Sequence, residues 1–407
     1  MRKNLLCIFI LFSILTHAQT TLTGIVLSDK DHKPVESASV YISGTTKGTY
    51  TDSKGYFTIP DAVAPCQLVV SHLAYSLQIK SIERTFANRL TFYLTEKATQ
   101  LSEVSVKVKG KGLRKRNVKE FRDAFLGTDR WGDYANIKND SVLVFSRQPD
   151  SISRKATTRD FEWQRKFNSI GEKSKWSKDS TWIITYSEAF LVTTKSPLLI
   201  ELPFLGYDVY LDLVSFKMNS FREWTDCDYW AYYRFVPNRK ATARQQEKFE
   251  KNRRDVYYNS SRHFCKALYD NKLKENGYKL ALDKINDTAN FFNRYNIDIN
   301  TKENHLKTNE VQITGLADQK INIFYFCLYN GKPIDLTNNK YNSDSPKITW
   351  DYCDADNNSY IIFKKDTCTI RSNGTIPDNN ILFGGMMATK RGGALLPYDY
   401  TPKKDDE

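Results

Sequence analysis

"GIVLSDKDHKPVESASVYISGTTKGTYTDSKGYFTI", residues 24–59, decides the fold of the first part of the chain. Its apolar runs are short and rich in β-branched and aromatic side chains, which suit a pleated, half-buried surface. Pro34 stands in a turn before the run Ala38–Ile42, and Asp52 and Gly55 mark a tight turn between Tyr50 and Phe57. Gly24 and Gly55 are able to take positive φ, and Asp52 can accept hydrogen bonds from the backbone just after it. Outward from this stretch, "TLTGIVL" alternates, and "CQLVVSHLAY", "LQIKSI", "LTFYL" and "LSEVSVKV" follow at short intervals. Seven short strands separated by turn signals predict an all-β sandwich of Greek-key type over residues 20–108.

Ahead of it, "MRKNLLCIFILFSILTHAQ" has Arg2 and Lys3, an apolar run from Leu5 to Leu15, and small residues ending at Ala18. This pattern predicts a signal peptide at residues 1–18, with Gln19 as the mature N-terminus. The apolar run is well short of the ~20 residues that cross a bilayer. Cys7 lies inside it, so a lipoprotein anchor is not indicated, and the mature chain is expected to have no transmembrane segment. Without Arg2 and Lys3 the formal charge falls from +13 to +11. An exported chain of that charge meets lipid head groups, lipopolysaccharide phosphates and acidic glycans rather than nucleic acid. Six cysteines remain, in an oxidising compartment where 15 pairings are open. Cys353 and Cys368 flank a predicted hairpin and are the pair we expect, with buried thiols as the alternative.

Residues Gly24, Val26, Pro34, Val35, Ala38 to Tyr41, Gly48, Thr51, Asp52, Gly55 and Phe57 also carry a resemblance. They resemble the carboxypeptidase-regulatory-like domain of Bacteroidetes envelope proteins, which implies a transthyretin-like sandwich. "LSEVSVKVKG" resembles the lead into a TonB-dependent receptor plug. About 300 residues follow, too few for a plug and a barrel of ~22 strands. The stretches "FLGTDRWGDYANIKNDSVLVF", "KSPLLIELPFLGYDVYLDLVSF", "NRRDVYYNSSRHFCKAL" and "LLPYDYTP" resemble the uncharacterised α+β region that follows this module in many exported Bacteroidetes chains.

After the sandwich, residues 109–119 of "KVKGKGLRKRNVK" read as a basic linker by composition. Val118, Phe121, Arg122, Phe125 and Leu126 then fall at helical spacing, and Gly127 ends the helix. Residues 120–400 mix strands such as "TWIITYSEAFLVTT" and "YDVYLDLVSFKM" with one long helix over about 241–276. That composition predicts an α+β domain, followed by a charged tail at 401–407.

Chemistry is harder to find. "NSSRHFCKAL", residues 259–268, brings Arg262, His263 and Cys265 together in sequence. On one helix, however, His263 and Cys265 point about 200° apart and cannot form a nucleophile–base pair. Phe249, Arg253, Tyr257, Ser260, Phe264, Leu268 and Asn271 share a stripe there. Arg253 in its middle is read as a clamp on a carboxylate or loop carbonyls, with anion binding as the alternative. A zinc carboxypeptidase needs an HxxE pair, but His32, His72, His263 and His305 are followed three residues on by Val35, Tyr75, Lys266 and Thr308. "DADNN", residues 354–358, could hold Ca²⁺ but lacks the EF-hand glycine and glutamate, and reads as a turn. "FGGMMATKRGGALL", residues 383–396, reads as a flexible surface loop. Glu223, Asp226 and Asp228 beside Trp224, Tyr229 and Trp230 could suit a glycosidase, and read as a strand edge.

These readings assign no catalytic residue, no metal ligand and no cofactor, and leave ligand-binding residues unassigned. They predict a non-enzymatic exported envelope protein, periplasmic or outer-membrane-associated. Its sandwich is an interaction module, its second domain meets an envelope protein or glycan partner, and peripheral contact with an anionic membrane surface is open. One alternative is a periplasmic or surface hydrolase of glycans or peptides using the acids at 223–228. Another is a polyanion (lipopolysaccharide) binder.

Overall fold

The computed structural model describes residues 20–83, 89–97, 111–156, 158–167, 174–220, 225–282, 295–296, 299, 301–303, 309–328, 332–337, 348–350, 359–377 and 380–403. The chain divides into two compact units, Met1–Gln100 and Leu101–Glu407. The signal-peptide residues, the strand expected at 101–108, Cys353, the turn at 354–358 and residues 404–407 lie outside the described residues.

The first unit is a two-sheet sandwich. Strands β1 (Thr20–Ser28), β4 (Tyr56–Ala62) and β7 (Leu90–Leu94) form one sheet in the order β4-β1-β7. Strands β2 (Ser39–Ile42), β3 (Gly48–Tyr50), β5 (Cys66–His72) and β6 (Tyr75–Ile82) form the other, in the order β3-β2-β5-β6. Period-two alternation sends Leu22 and Val26 of β1 inward against Phe57, Ile59, Val40, Leu68 and Val70. Asp52 Oδ1 accepts from the amides of Lys54 and Tyr56 at 2.9 and 2.8 Å, closing the turn as read. Gly55 has φ 75°, as its turn requires. Gly24 serves differently from expectation. It lies within β1, and a Cβ there would meet the Phe57 ring at 2.4 Å and Leu90 O at 2.6 Å, so it is needed for room.

In the second unit the fold class holds and several details differ. The run read as a linker is helical from Lys111, as the first half of α1 (Lys111–Leu126). Its basic residues alternate with Leu113, Asn117 and Val118 at helical spacing, and Asn117 is buried. Gly127 ends the helix at φ 95°. Next come α2 (Arg130–Tyr134), β8 (Asn136–Ile137), β9 (Leu143–Lys155), α3 (Thr158–Phe167), β10 (Ser174–Trp176), β11 (Trp182–Thr194), β12 (Leu198–Leu202), β13 (Tyr207–Ser220) and β14 (Thr225–Pro237). β13 is central, pairing with β14 along its length and with β12 and then β11 on its other edge. Helix α1 covers the apolar face of this sheet: the Phe121 ring meets Phe216 edge-on at 4.9 Å, within a core that includes Phe190, Val209 and Leu211.

The single helix expected over 241–276 is two, α4 (Ala243–Tyr257) and α5 (Ser261–Tyr269). Asn259 takes φ 53°, and Ser260 caps α5 by accepting from the amide of His263 at 3.1 Å. The stripe drawn through Phe249 and Phe264 therefore does not exist as one face. Phe264 and Leu268 belong to a second core with Tyr278, Ile313, Ile321, Ile361 and Ile370. That core lies among β15 (Tyr278–Leu282), β16 (Tyr295–Asn296), β17 (Thr301–Glu303), β18 (Glu310–Thr314), β19 (Lys320–Leu328), β20 (Ile348–Trp350), β21 (Ser359–Phe363), β22 (Thr367–Arg371) and β23 (Ile381–Gly384). One sheet runs β16-β15-β19-β21-β23, with β20 also on β19, and the other runs β17-β18-β22. Among the described residues no helix is long and apolar enough to cross a membrane.

The segment read as a flexible loop at 383–396 is packed instead, with helix α6 (Met386–Thr389) and buried Gly392, Gly393 and Ala394. Lys390 Nζ donates to the carbonyls of Val256 and Tyr258 at the end of α4, and Arg391 donates to Ala124 O near the end of α1 at 2.9 Å. Cations at these carbonyl ends also complement the helix dipoles. The two glycines let the backbone settle onto neighbours: a Cβ on Gly393 would stand 2.5 Å from Gly132 Cα, and one on Gly392 would stand 2.7 Å from Phe125 O.

Candidate ligand cleft

Three elements of the second unit surround a cleft of about 280 Å³ lined by Arg130, Tyr134, Phe204, Lys248 and Asn252. Each is placed by local chemistry. Asp129 caps α2 by accepting from Gly132 N at 2.9 Å, and Arg122 of α1 donates to Gly132 O and Asp133 O at 2.6 and 2.9 Å. Arg130 and Tyr134, on this short tethered helix, are solvent-exposed. Helix α4 begins in a capping box, with Gln245 Oε1 accepting from Thr242 N at 2.8 Å. Lys248 and Asn252 lie one turn apart on it and so share a face.

Phe204 comes from the turn between β12 and β13, which α4 grips by its carbonyls. Asn252 Nδ2 donates to Phe204 O at 2.8 Å, and Arg253 Nε donates to Leu205 O at 2.8 Å. Gly206, at φ 68°, lets the Phe249 ring approach where any Cβ would collide at 2.3 Å. The result is an aromatic wall in which the Phe204 and Tyr134 rings stand 4.3 Å apart, tilted by 36°. Around it are cations. The Lys248 ammonium lies 5.8 Å from the Phe204 ring, and the Arg130 guanidinium stacks on Trp131 at 4.6 Å while an NH donates to Asn252 Oδ1 at 3.4 Å.

Among the described residues neither Arg130 nor Lys248 forms an ion pair. Asp255 of α4 has its carboxyl raised by burial, while Arg130, Lys251, Arg254 and Lys390 pull it back down. Four cations therefore act on one carboxylate, and the surroundings are electropositive. The cleft lining has two positive charges, an amide, a phenol and a phenyl ring, with no thiol or carboxylate among its five residues. Groups of this kind suit recognition of an anion.

The residues singled out from sequence sit elsewhere. Arg253 is the clamp of the preferred reading: besides Leu205 O, its guanidinium lies 4.1 Å over the Tyr207 ring and 4.0 Å from Glu250. Arg262, which carried no such expectation, is a clamp as well, donating to the carbonyls of Asn373, Pro397, Tyr398 and Tyr400 at 3.1, 2.8, 2.7 and 2.7 Å. His263 and Cys265, left outside the stripe of the one-helix reading, are both buried. Because α5 is a separate short helix enclosed on most sides, its inward arc is wider than one stripe. The Asn259 amide and the Tyr278 hydroxyl reach His263 Nδ1 at 3.4 and 2.8 Å, and Nε2 lies 3.2 Å from Asn276 Oδ1. An amide only donates, so Nδ1 accepts and the proton is on Nε2. Burial drives the ring down to about 4 despite the bond to Asn276, with Lys390 adding to the fall, and burial pushes the Cys265 thiol up. A neutral histidine beside an inert thiol is a packed polar core.

Glu223 and Trp224 lie outside the described residues. Asp228 is on β14, paired in register with Lys217 of β13, and Lys217 itself bonds Asp150 at 2.7 Å. Alternation sends Tyr229 against the Phe125 ring at 5.1 Å and leaves Trp230 exposed, so the run is a strand edge. Among the described residues no three His, Cys, Asp or Glu side chains converge as metal ligands.

None of the five cleft residues was singled out from sequence. "DRWGDY" and "LPFLG" look like loop punctuation, and Lys248 and Asn252 look like ordinary polar positions of a charged helix. The one available signal was an Asn at helical spacing from buried positions, because a buried amide needs fixed partners.

Residues 22–106 match the family model of the CarboxypepD_reg-like domain, a non-catalytic Ig-like β-sandwich, which accords with the first unit. No curated protein and no solved structure matches the chain.

Proposed function

We propose that the chain is an exported, non-enzymatic binding protein of the cell envelope. Its CarboxypepD_reg-like sandwich acts as an interaction module, and its second unit takes an envelope ligand in the cleft of Arg130, Tyr134, Phe204, Lys248 and Asn252. The observation that carries this reading is the cleft itself: framed by capped and tethered elements, cationic, walled by aromatic rings and without a thiol or carboxylate in its lining. Export rests on the charged, apolar and small-residue pattern of residues 1–18.

Two measurements test it. Mass spectrometry of the protein from fractionated native cells should find Gln19 at the N-terminus and the chain in the envelope fraction; a cytosolic chain starting at Met1 refutes export. Purified protein incubated with envelope glycans and peptides should retain some of them unchanged. Turnover of any substrate, lost on substitution of Asp226 or Asp228, would establish the hydrolase instead.

A further inference from the structure

We infer that this cleft binds one anionic sugar unit, a ring carrying a single phosphate or carboxylate. The inference rests on the binding-protein reading above and names the chemistry of its ligand. Size comes first. A volume of about 280 Å³ is just below the roughly 300–1,000 Å³ of small-molecule pockets, so the cleft has room for one ring. Charge comes second. Arg130 and Lys248 offer a fork of donors and a point charge, and the Asn252 amide already holds Arg130 in place through its oxygen. With no acid of their own within ion-pairing distance among the described residues, both cations have capacity for an external oxyanion.

Shape comes third. The Tyr134 and Phe204 rings make a hydrocarbon wall beside the charges. A free inorganic anion would leave that wall in water, whereas a pyranose presents C–H groups to it while its acidic substituent reaches the cations. Tyr134 is 54% exposed, so the wall is reachable from solvent. Recognition then divides between the parts: the cations select the acid and the rings select the sugar.

The test is calorimetric titration of the purified protein with glucose 6-phosphate, glucuronate, glucose and inorganic phosphate. Glucose 6-phosphate or glucuronate should bind, and which of them does identifies the phosphate or the carboxylate as the natural substituent. Glucose and inorganic phosphate should each bind at least about tenfold more weakly, having lost a charge-assisted bond or the ring contact. Lys248→Gln and Arg130→Gln should each weaken the acid sugar about tenfold. Tyr134→Ala should weaken the acid sugar and leave inorganic phosphate unchanged. All three side chains are exposed, so the variants should keep the wild-type unfolding midpoint, and Lys240→Gln, in the loop before α4, should change nothing.

Binding of glucose as tightly as the acids, binding insensitive to both Lys248→Gln and Arg130→Gln, or no binding by either acid overturns the inference. The broader reading fails differently. A probe that binds with these sensitivities but is chemically consumed would leave the site intact and refute the non-enzymatic function.

Discussion

Acid should weaken the second unit through His263 before it touches the carboxylates. The ring is buried among Tyr257, Tyr258, Tyr278 and Tyr325, with centroids 5.2, 5.3, 5.3 and 6.0 Å away, and it titrates at about 4 instead of 6.5. Above pH 6.5 histidine is neutral in both folded and unfolded chains, and its full contribution is present. As pH falls below 6.5 the unfolded chain takes up a proton that the folded chain refuses, and stability drains until pH reaches about 4. At about 1.4 kcal/mol per pH unit between the two values, that amounts to about 3 kcal/mol. Asp150, Asp179 and Asp335 are held below their ordinary value by hydrogen bonds, from Lys217, Ser177 and Thr337 first, and so titrate later. Asp208 and Asp255 are raised by burial and act in the opposite sense.

All seven tryptophans lie beyond residue 130, so their fluorescence reports on the second unit alone. Urea unfolding followed this way should lose about 3 kcal/mol between pH 7.5 and 4 in the wild type. His263→Gln should begin less stable by about 1–3 kcal/mol, because the Tyr278 hydroxyl loses its best acceptor, and should then lose much less over the same range. Equal losses in both proteins, or a His263 titration near 6.5 by NMR, would refute the reasoning.

Phe264→Ala should cost about 3–5 kcal/mol in the same assay, since the ring is fully buried against Tyr278 at 5.2 Å. Gly393→Ala should cost at least about 1–3 kcal/mol, because the new methyl meets Gly132 backbone that has nowhere to move. Gly112→Ala, with open space around it in α1, should gain about 0.5–1 kcal/mol, and the two glycines behaving alike would contradict the packing described. Arg262→Lys should cost about 2–4 kcal/mol, since an ammonium cannot span four carbonyls, and should speed tryptic cutting at Lys403; unchanged proteolysis would show that the clamp does not hold this segment.

The sandwich was legible because its determinants are local. Asp52 and Gly55 close their turn within a few residues, and alternation in "TLTGIVL" fixes which side chains face inward. The ends of helices were legible for the same reason at Gly127, while the start of α1 was not. Charge density around Lys111–Lys119 resembles a linker until Phe121 and Phe125 are seen to anchor the helix on Phe216 and Tyr229. The break at Asn259 was hidden because Asn and Ser are tolerated inside helices as well as at caps, and only the neighbouring sheet selects between them. The segment 390–393 was misread because Gly-Gly signals freedom when nothing is known to approach it. Here the approaching partners, Gly132 and Phe125, stand more than 250 residues earlier. The cleft shares that difficulty, since its three contributing elements are far apart in sequence, at 130–134, 204 and 248–252.

The helix break has a consequence for how function and stability divide. Had residues 241–276 formed one rod, any change at His263 or Phe264 would have been transmitted along a rigid axis to Lys248 and Asn252. Instead α4 anchors itself to the β12–β13 turn through Asn252 and Arg253, and to Lys390 at its other end. Helix α5 is anchored separately, through Phe264 in the second core and Arg262 on the 397–400 carbonyls. Between them Asn259, at φ 53°, turns the chain out of the α4 axis. The cleft is therefore lined by α2, α4 and one β-turn, and α4 meets the polar core around His263 at its C-terminal end, where the Tyr257 ring stands 5.2 Å from the imidazole, more than a turn beyond Asn252. Lowered stability from α5 and lowered ligand affinity from α4 should separate cleanly. A loss of acid-sugar affinity in a folded Phe264 variant would mean that the two helices move as one.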